Sequence, residues 1–340
     1  MATNHQTLTF KDFRSSQEIR WCAGCGDYGI LIAIQKAMAE SKIKKEDFVI
    51  VSGIGCSSRL PYYVNTYGFH GIHGRGSAIA SGVKCGNKKL KVIQITGDGD
   101  ALAIGGNHFI HAIRRNIDIS ILLFNNEIYG LTKGQYSPTS RMGTVTKTSP
   151  FGTIEHPFQP SELAIGAMGK FFARSVDINI SLTKDVVLES IKYKGTAVVE
   201  ILQNCIIFND KIHKAFIHKE NRKNNFIELK HGERMIFGED NDKGLIINEN
   251  GKLEVVNLKQ FGINIRDILT HDAHEPNPFL HLQLANMQYP EMPVALGVIR
   301  KVDAATYDEA MERQISTIKN RSKINSMDDL LNSGYTWDVE

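Results

Sequence analysis

Residues 97–100 read Gly97-Asp98-Gly99-Asp100, and residues 125–130 read Asn125-Asn126-Glu127-Ile128-Tyr129-Gly130. Each stretch follows an apolar run of strand length. Lys91-Val92-Ile93-Gln94-Ile95-Thr96 precedes the first, and Ile119 to Asn125 (ISILLFN) leads into the second. Residues 105–116 between them have helical periodicity. Strand, helix and strand in that order predict an α/β fold: a parallel sheet with helices on both faces. Ligands of open α/β sheets bind beyond the carboxyl ends of the strands, so both stretches face one crevice. Glycine lets a backbone approach a phosphate closely. A diphosphate also needs a hard cation, and Mg²⁺ takes oxygen ligands in octahedral geometry. Asp98 offers a carboxylate, Asn126 an amide oxygen and Ile128 a backbone carbonyl. Either stretch alone is an ordinary turn. Together, each ending a strand, they point to a metal-bound diphosphate.

The flanking sequence repeats the pattern. Trp21-Cys22-Ala23-Gly24-Cys25-Gly26 precedes an apolar-periodic helix from Tyr28 to Glu40. Phe48-Val49-Ile50-Val51-Ser52 is a short apolar run ending at glycine, the mark of a buried parallel strand. Phe69-His70-Gly71-Ile72-His73-Gly74-Arg75-Gly76 is a third glycine-rich loop. Ser77 to Val83 after it reads as a helix N-terminus, which attracts anions. Glu162 to Phe172 reads as a helix, and Thr196 to Leu202 as a strand that ends just before Cys205. Three units result: a polar lead-in over 1–20, the main domain over 21–208, and a C-terminal extension over 209–340. In the extension, residues 234–260 look like short strands with an Asn250-Gly251 hairpin turn, and 303–321 like an exposed helix. His271-Asp272-Ala273-His274-Glu275 runs into Pro276-Asn277-Pro278 and fits no helical ligand spacing, so it reads as a loop.

The 340 residues are 42% hydrophobic and 23% charged, ordinary for a soluble globular protein with a sizeable core. A formal charge of +3 and no basic stripe exclude nucleic acid as a partner. No apolar run reaches the ~18 residues of a membrane span. The first residues, MATNHQTLTFKDFRSS, have no signal-peptide core, so a cytoplasmic location is expected. Thiols stay reduced there, and the five cysteines then argue for metal or catalytic chemistry rather than disulfides. Cys22 and Cys25 form a C-x-x-C. Cys56 follows a strand in Gly53-Ile54-Gly55-Cys56-Ser57-Ser58-Arg59, and Cys205 follows another. If these strands end at one sheet edge, four thiols converge. Four thiolates suit zinc or a cubane iron–sulfur cluster, and a lone C-x-x-C could equally be a redox pair. Spacing alone does not choose. Cys85 reads as a buried or incidental thiol.

The GDG, the strand-sized gap and the Asn pair resemble the thiamine-diphosphate fingerprint. Tyr129-Gly130-Leu131-Thr132-Lys133-Gly134-Gln135, with W-C-x-G-C-G at 21–26 and G-I-G-C-S-S at 53–58, is more specific. It resembles the β subunit of 2-oxoacid:ferredoxin oxidoreductases, in particular the 2-oxoglutarate type. The likeness is close over residues 15–210 and loose beyond. It implies a pyrophosphate-binding α/β domain and one [4Fe–4S] cluster on Cys22, Cys25, Cys56 and Cys205, the last carried only by its I-L-Q-N-C context. It implies Mg²⁺ on Asp98, Asn126 and Ile128. Cofactor contacts would come from Ile54, Gly55, Cys56, Ser57, His73, Gly74, Gly97, Gly99, Asp100, Tyr129, Gly130 and Leu131. Ile54 would be an apolar wedge, with Cys56 and Ser57 beside the thiazolium. Arg75 either touches the diphosphate or braces its loop, and His70 reads as a turn histidine. Arg59 and Lys133 are the cations for substrate, since Arg can clamp the second carboxylate of a dicarboxylic 2-oxoacid. Some relatives of broad substrate range carry Lys where this chain has Arg59.

The activity so implied is oxidative decarboxylation of a 2-oxoacid, 2-oxoglutarate to succinyl-CoA and CO₂, with coenzyme A as acceptor. Electrons leave through the cluster to ferredoxin. The glutamate that activates the cofactor belongs to a pyrimidine-binding domain absent here, so an α subunit is expected and the working unit is at least a heterodimer. The Lys- and His-rich run Lys211–Lys230 is a solvated face, or borders a docking surface for an acidic electron carrier or coenzyme A. The competing readings are a pyruvate or branched-chain 2-oxoacid enzyme, another thiamine-diphosphate enzyme, and a non-catalytic zinc-binding scaffold.

Overall fold

The apolar runs form the centre of an eight-stranded sheet in the computed structural model, which describes residues 8–217, 220, 222–260, 262–337 and 339. Its strands are β1 (Phe48–Ser52), β2 (Tyr67–His70), β3 (Lys91–Gly97), β4 (Ile119–Asn125), β5 (Phe171–Val176), β6 (Ala197–Leu202), β7 (Phe226–Leu229) and β11 (Val294–Lys301). A second, three-stranded sheet holds β8 (Ile236–Phe237), β9 (Lys243–Ile247) and β10 (Leu253–Asn257). The large sheet runs β2-β1-β3-β4-β6-β5-β11-β7. From β2 to β5 all neighbours are parallel. β11 then lies antiparallel to β5 and pairs with β7 in parallel. Every residue of β1, β4, β5 and β6 is buried, as a parallel sheet covered on both faces requires.

The helices supply that cover. α1 (Asp27–Glu40) and α6 (Ile180–Lys192) lie on one face, α2 (Gly76–Gly86), α4 (Gly106–Arg115) and α5 (Pro160–Gly166) on the other, and α3 (Asp98–Leu102) leaves the end of β3 directly. Strand side chains alternate between the faces. Phe48 and Ile50 meet Ile30, Ile34, Met38 and Val187 in one core. Val49 and Val51 share the other with Ala80, Phe109 and Ile113. Each such side chain contributes ~1.5–3 kcal/mol by leaving water, so the strand ends that carry the site are held by a stiff double-sided core.

One expected element changes. The helix read over Glu162–Phe172 stops at Gly166, and Phe171 and Phe172 begin β5 instead. Met168 turns left-handed at φ 68°. Gly169 packs so tightly that a Cβ there would stand 2.5 Å from Ala164 O. The aromatic pair then enters the sheet.

The last third of the chain includes α7 (Lys214–Ile217), α8 (Arg222–Asn225), α9 (Phe279–Ala285), α10 (Tyr307–Arg321) and α11 (Met327–Leu331). It also sends β11 and β7 into the main sheet. β9 and β10 form the hairpin expected at Asn250-Gly251. Asn248 N–H bonds Lys252 O at 2.9 Å, and Gly251 takes φ +72°. α10 is largely exposed; Asp308 is buried and Glu309 and Met311 are half-buried. His271 and His274 each bond a backbone carbonyl of β11, Val298 O at 2.8 Å and Lys301 O at 2.6 Å, and so anchor their loop. In the Lys211–Lys230 run, Lys211, Lys214, Lys223 and Lys230 are exposed, and residues 218, 219 and 221 lie outside the described residues. Residues 1–7 of the lead-in lie outside them as well. No helix of the described residues is long and apolar enough to cross a membrane.

Candidate active site

β1, β3, β4 and β6 all point their carboxyl ends to one edge of the sheet, because they are mutually parallel. Beyond that edge lies a cavity lined by Ile54, Gly55, Cys56, Ser57, His73, Gly97, Asp98, Gly99, Asp100, Asn126, Ile128, Tyr129, Gly130 and Leu131, together with Asp27, Phe124, Thr132 and Gln203. Two of the residues expected there stand outside its wall. Gly74 sits behind it, donating its N–H to Asp100 Oδ1 at 2.7 Å. Arg75 caps the start of α2 and bonds Ile72 O at 3.0 Å through its N–H.

Asp98 is buried, which raises its pKa, and hydroxyls of Ser137 and Thr139 oppose that rise. Ser137 Oγ donates to Asp98 Oδ2 at 2.5 Å, and Thr139 Oγ1 reaches the same oxygen at 2.6 Å. Across the cavity, Asn126 Oδ1 accepts the Ile128 N–H at 3.1 Å. This bends the turn through Glu127, whose φ is +55°. Ser140 Oγ holds that turn by donating to Glu127 O at 2.5 Å, and Asn209 Nδ2 donates to Asn126 O at 2.9 Å. Asn125 points away and gives its amide to Glu200 Oε1 at 2.8 Å. Tyr129 stitches the halves together: its hydroxyl donates to Gly99 O at 3.1 Å, and a Cβ at Gly99 would strike its ring. Asp98, Asn126 and Ile128 all line this cavity, and a carboxylate, an amide oxygen and a backbone carbonyl from them would make a hard oxygen set that fits Mg²⁺. The glycines beside them leave room for a diphosphate.

Asp100 lines the cavity, but its oxygens are engaged within the protein. Oδ1 accepts the N–H groups of Ile54 at 3.0 Å and Gly74 at 2.7 Å, and lies 2.9 Å from His73 Nδ1. Oδ2 accepts Thr96 Oγ1 at 2.7 Å. One carboxylate thus ties the loop after β1 to the loop before α2, and leaves His73 Nε2 unclaimed by it. A Cβ at Gly53 would collide with this carboxylate.

Cys22, Cys25, Cys56 and Cys205 line a second cavity with Arg20, Trp21, Arg59, Lys133 and Phe208. It shares Cys56, Asn126, Gly130, Leu131 and Gln203 with the first. A Cβ at Gly130 would stand 3.5 Å from Cys205 Sγ and 3.6 Å from Cys56 Sγ, so glycine keeps the space beside two thiols open. Trp21 Nε1 donates to Cys56 O at 2.7 Å, Gly26 N–H to Asn204 O at 3.2 Å, and Gln203 Nε2 to Cys25 Sγ at 3.3 Å. Gly24 adopts φ +83° with Ile206 Cδ1 2.8 Å from where its Cβ would be. Burial and Asp27 push the Cys25 thiol upward and the Cys56 thiol up to about 11. A cation must therefore displace their protons to bind. Among the described residues no three His, Cys, Asp or Glu side chains are grouped to hold one metal ion. Four thiols lining one cavity are a donor set that a cubane cluster or a tetrahedral zinc would use. Arg59 and Lys133 belong to this thiol cavity rather than the first. Cys85 lies elsewhere, beside Lys88 and Asp308, and His70 Nδ1 lies 3.0 Å from the Tyr62 hydroxyl on the edge strand β2.

Several contributors escaped the sequence reading. Trp21, Ser137 and Thr139 act through single hydrogen bonds, which leave no periodic trace. Asp27 opens α1 and lines the first cavity. Its Oδ1 is buried without a hydrogen-bond partner, and burial and Asp177 push it up to about 7. Its place two residues after Cys25 was the available signal.

A profile of the family described as thiamine pyrophosphate enzyme, C-terminal TPP binding domain, matches residues 53–201, which hold both halves of the first cavity. The 2-oxoglutarate oxidoreductase subunit KorB of Mycobacterium tuberculosis is 45% identical, over 99% of this chain and 90% of its own. The 2-oxoglutarate synthase subunit KorB of Methanothermobacter thermautotrophicus is 34% identical, over 82% of this chain and 91% of its own. A solved structure of the 2-oxoglutarate:ferredoxin oxidoreductase from Magnetococcus marinus, with 2-oxoglutarate, coenzyme A and succinyl-CoA bound, superposes with a TM-score of 0.77 at 27% identity, covering 97% of each chain. Parallel sheet, diphosphate crevice and full-length likeness agree, and this oxidoreductase chain belongs to the thiamine-diphosphate-binding β subunits of the 2-oxoacid:ferredoxin oxidoreductases, most like those of the 2-oxoglutarate type.

Proposed function

We propose that this chain, paired with an α subunit, carries out the coenzyme A-dependent oxidative decarboxylation of 2-oxoglutarate to succinyl-CoA and CO₂, and passes the electrons to ferredoxin. It would use thiamine diphosphate, Mg²⁺ and one [4Fe–4S] cluster. The observation that carries this reading is the common wall of the two cavities: Cys56 and Gly130 belong to both the diphosphate crevice and the four-thiol chamber. A redox centre beside a decarboxylating cofactor is what a 2-oxoacid oxidation needs.

Asp98, Asn126 and the Ile128 carbonyl would hold the cation. Gly97 and Gly99 let the backbone approach the diphosphate. Ile54, fixed by Asp100, is the apolar support beneath the cofactor, and His73 is turned by the same carboxylate. Cys22, Cys25, Cys56 and Cys205 would hold the cluster. Thiamine diphosphate supplies the carbanion chemistry when bound, and the cluster supplies one-electron chemistry. Arg59 and Lys133, which line the thiol chamber, are suited to the substrate carboxylates. An iron–sulfur site and reduced thiols suit the cytosol.

The test is anaerobic co-expression with the α partner, followed by electron paramagnetic resonance on adding 2-oxoglutarate, coenzyme A and thiamine diphosphate. A reduced-cluster signal that is lost in Asp98→Ala and in each cysteine-to-serine variant is expected. A signal with pyruvate but not 2-oxoglutarate would overturn the substrate. Absence of iron would overturn the cluster and with it the redox reading.

A further inference from the structure

We infer that Ser137 and Thr139 are positioning residues: their hydroxyls fix the Asp98 carboxylate and thereby set the affinity of the site for its divalent cation. The inference rests on the reading of Asp98 as a cation ligand.

Ser137-Pro138-Thr139-Ser140 lies in an irregular segment, yet its three hydroxyl residues are 2%, 5% and 3% exposed. Buried hydroxyls need partners, and all three find them at the cation site. Ser137 and Thr139 converge on Asp98 Oδ2 at 2.5 and 2.6 Å. Ser140 accepts the Ser137 N–H at 2.8 Å and donates to Glu127 O at 2.5 Å, next to the Ile128 carbonyl. One four-residue segment thus grips the carboxylate of the first half-site and the backbone of the second. Among the described residues no side chain donates to Asp98 Oδ1. Holding Oδ2 stops the carboxylate rotating and leaves Oδ1 for the cation.

Thr139 has a second oxygen close by. Thr139 Oγ1 also lies 2.9 Å from Asn125 Oδ1. One hydroxyl proton cannot serve both, and the charged carboxylate is the stronger acceptor. Asn125 is in turn fixed by Glu200 at 2.8 Å, and Glu200 by Arg174 Nε at 2.7 Å, all buried. Arg174, Glu200 and Asn125 thus fix the wall beside Thr139, whose one proton goes to Asp98. Partners that orient a metal-binding carboxylate typically carry ~10–100-fold of metal affinity.

The experiment titrates Mg²⁺ into the αβ complex at saturating thiamine diphosphate, by calorimetry, and measures the Mg²⁺ activation constant apart from kcat. Thr139→Val is expected to weaken Mg²⁺ by ~10–100-fold, with a smaller change in kcat at saturating cation. Thr139→Ser restores the hydroxyl and should restore affinity. Wild-type affinity in Thr139→Val overturns the role, and so does a serine variant as weak as valine. If Thr139→Val does not assemble, Ser137→Ala is read the same way. Asp98→Ala separates the two levels. Unchanged Mg²⁺ and cofactor binding there would overturn the cation site itself. Loss there, with Thr139→Val intact, would overturn only the positioning role.

Discussion

Replacing Asp100 tests whether one carboxylate organises the cofactor crevice. Asp100→Ala removes the acceptor of four bonds, from Ile54, Gly74, His73 and Thr96. Hydrogen bonds to a charged group are worth ~1.5–3 kcal/mol each, but the four do not simply add. The His73 side chain is 38% exposed and can bond water instead. The Ile54 N–H borders the open cavity and can do the same. The Gly74 N–H and the Thr96 hydroxyl lose their acceptor inside the protein, so the net loss should be about 2–5 kcal/mol, at about 1–3 kcal/mol for each buried group left unpaired. Asp100→Asn keeps an oxygen for Ile54, Gly74 and His73, and needs only the Thr96 hydroxyl to turn. It loses charge assistance, roughly half of each bond, and should cost about 1–3 kcal/mol. Denaturant unfolding of the cofactor-free complex gives the order wild type, Asn, Ala. Thiamine-diphosphate affinity should fall in that order too, because Ile54 and His73 lose their common anchor. An Asn variant less stable than Ala, or an Ala variant with unchanged stability and cofactor affinity, would refute the tie.

Further predictions concern the neighbouring loops. His213 is buried, and its pKa falls from 6.5 to about 4. The unfolded chain therefore binds a proton that the folded chain refuses between these values. The His213 contribution is intact above pH 6.5 and is lost as pH falls toward 4, by up to about 3 kcal/mol. His213→Gln should flatten that part of a stability–pH curve measured by urea unfolding. Gly24→Ala places a Cβ in the left-handed region, at ~1–2 kcal/mol, against Ile206. Iron per complex should drop while the circular dichroism spectrum holds. Trp21→Phe keeps the edge-on contact with Tyr63 but leaves the Cys56 carbonyl without its indole donor, at ~1–3 kcal/mol. Cluster bleaching in air should speed up, and an unchanged bleaching rate would show that the indole bond does not hold the Cys56 loop.

Most of the sheet was readable because its central strands are continuous apolar runs bounded by glycine or, for β4, by asparagine. β1, β3, β4 and β6 appear within a residue of where those runs stand. β5 was hidden, since Phe171 and Phe172 continue a helical spacing and only the Met168–Gly169 turn separates them. β11 was missed because its place beside β5 depends on a partner more than a hundred residues earlier in the chain.

The sequence by itself determined the strand-end motifs and their glycines, and put forward Asp98, Asn126 and Ile128 as a candidate oxygen set and the four cysteines as candidates for one centre. Those are local facts: a residue type at a fixed distance from a strand end. Only the tertiary structure decided that the thiol chamber and the diphosphate crevice share Cys56 and Gly130. Only it turned Asp100 inward as a tie and brought Ser137 and Thr139 onto Asp98 from about forty residues away. A buried carboxylate accepts whichever donors the fold delivers, and no spacing along the chain records which ones those are.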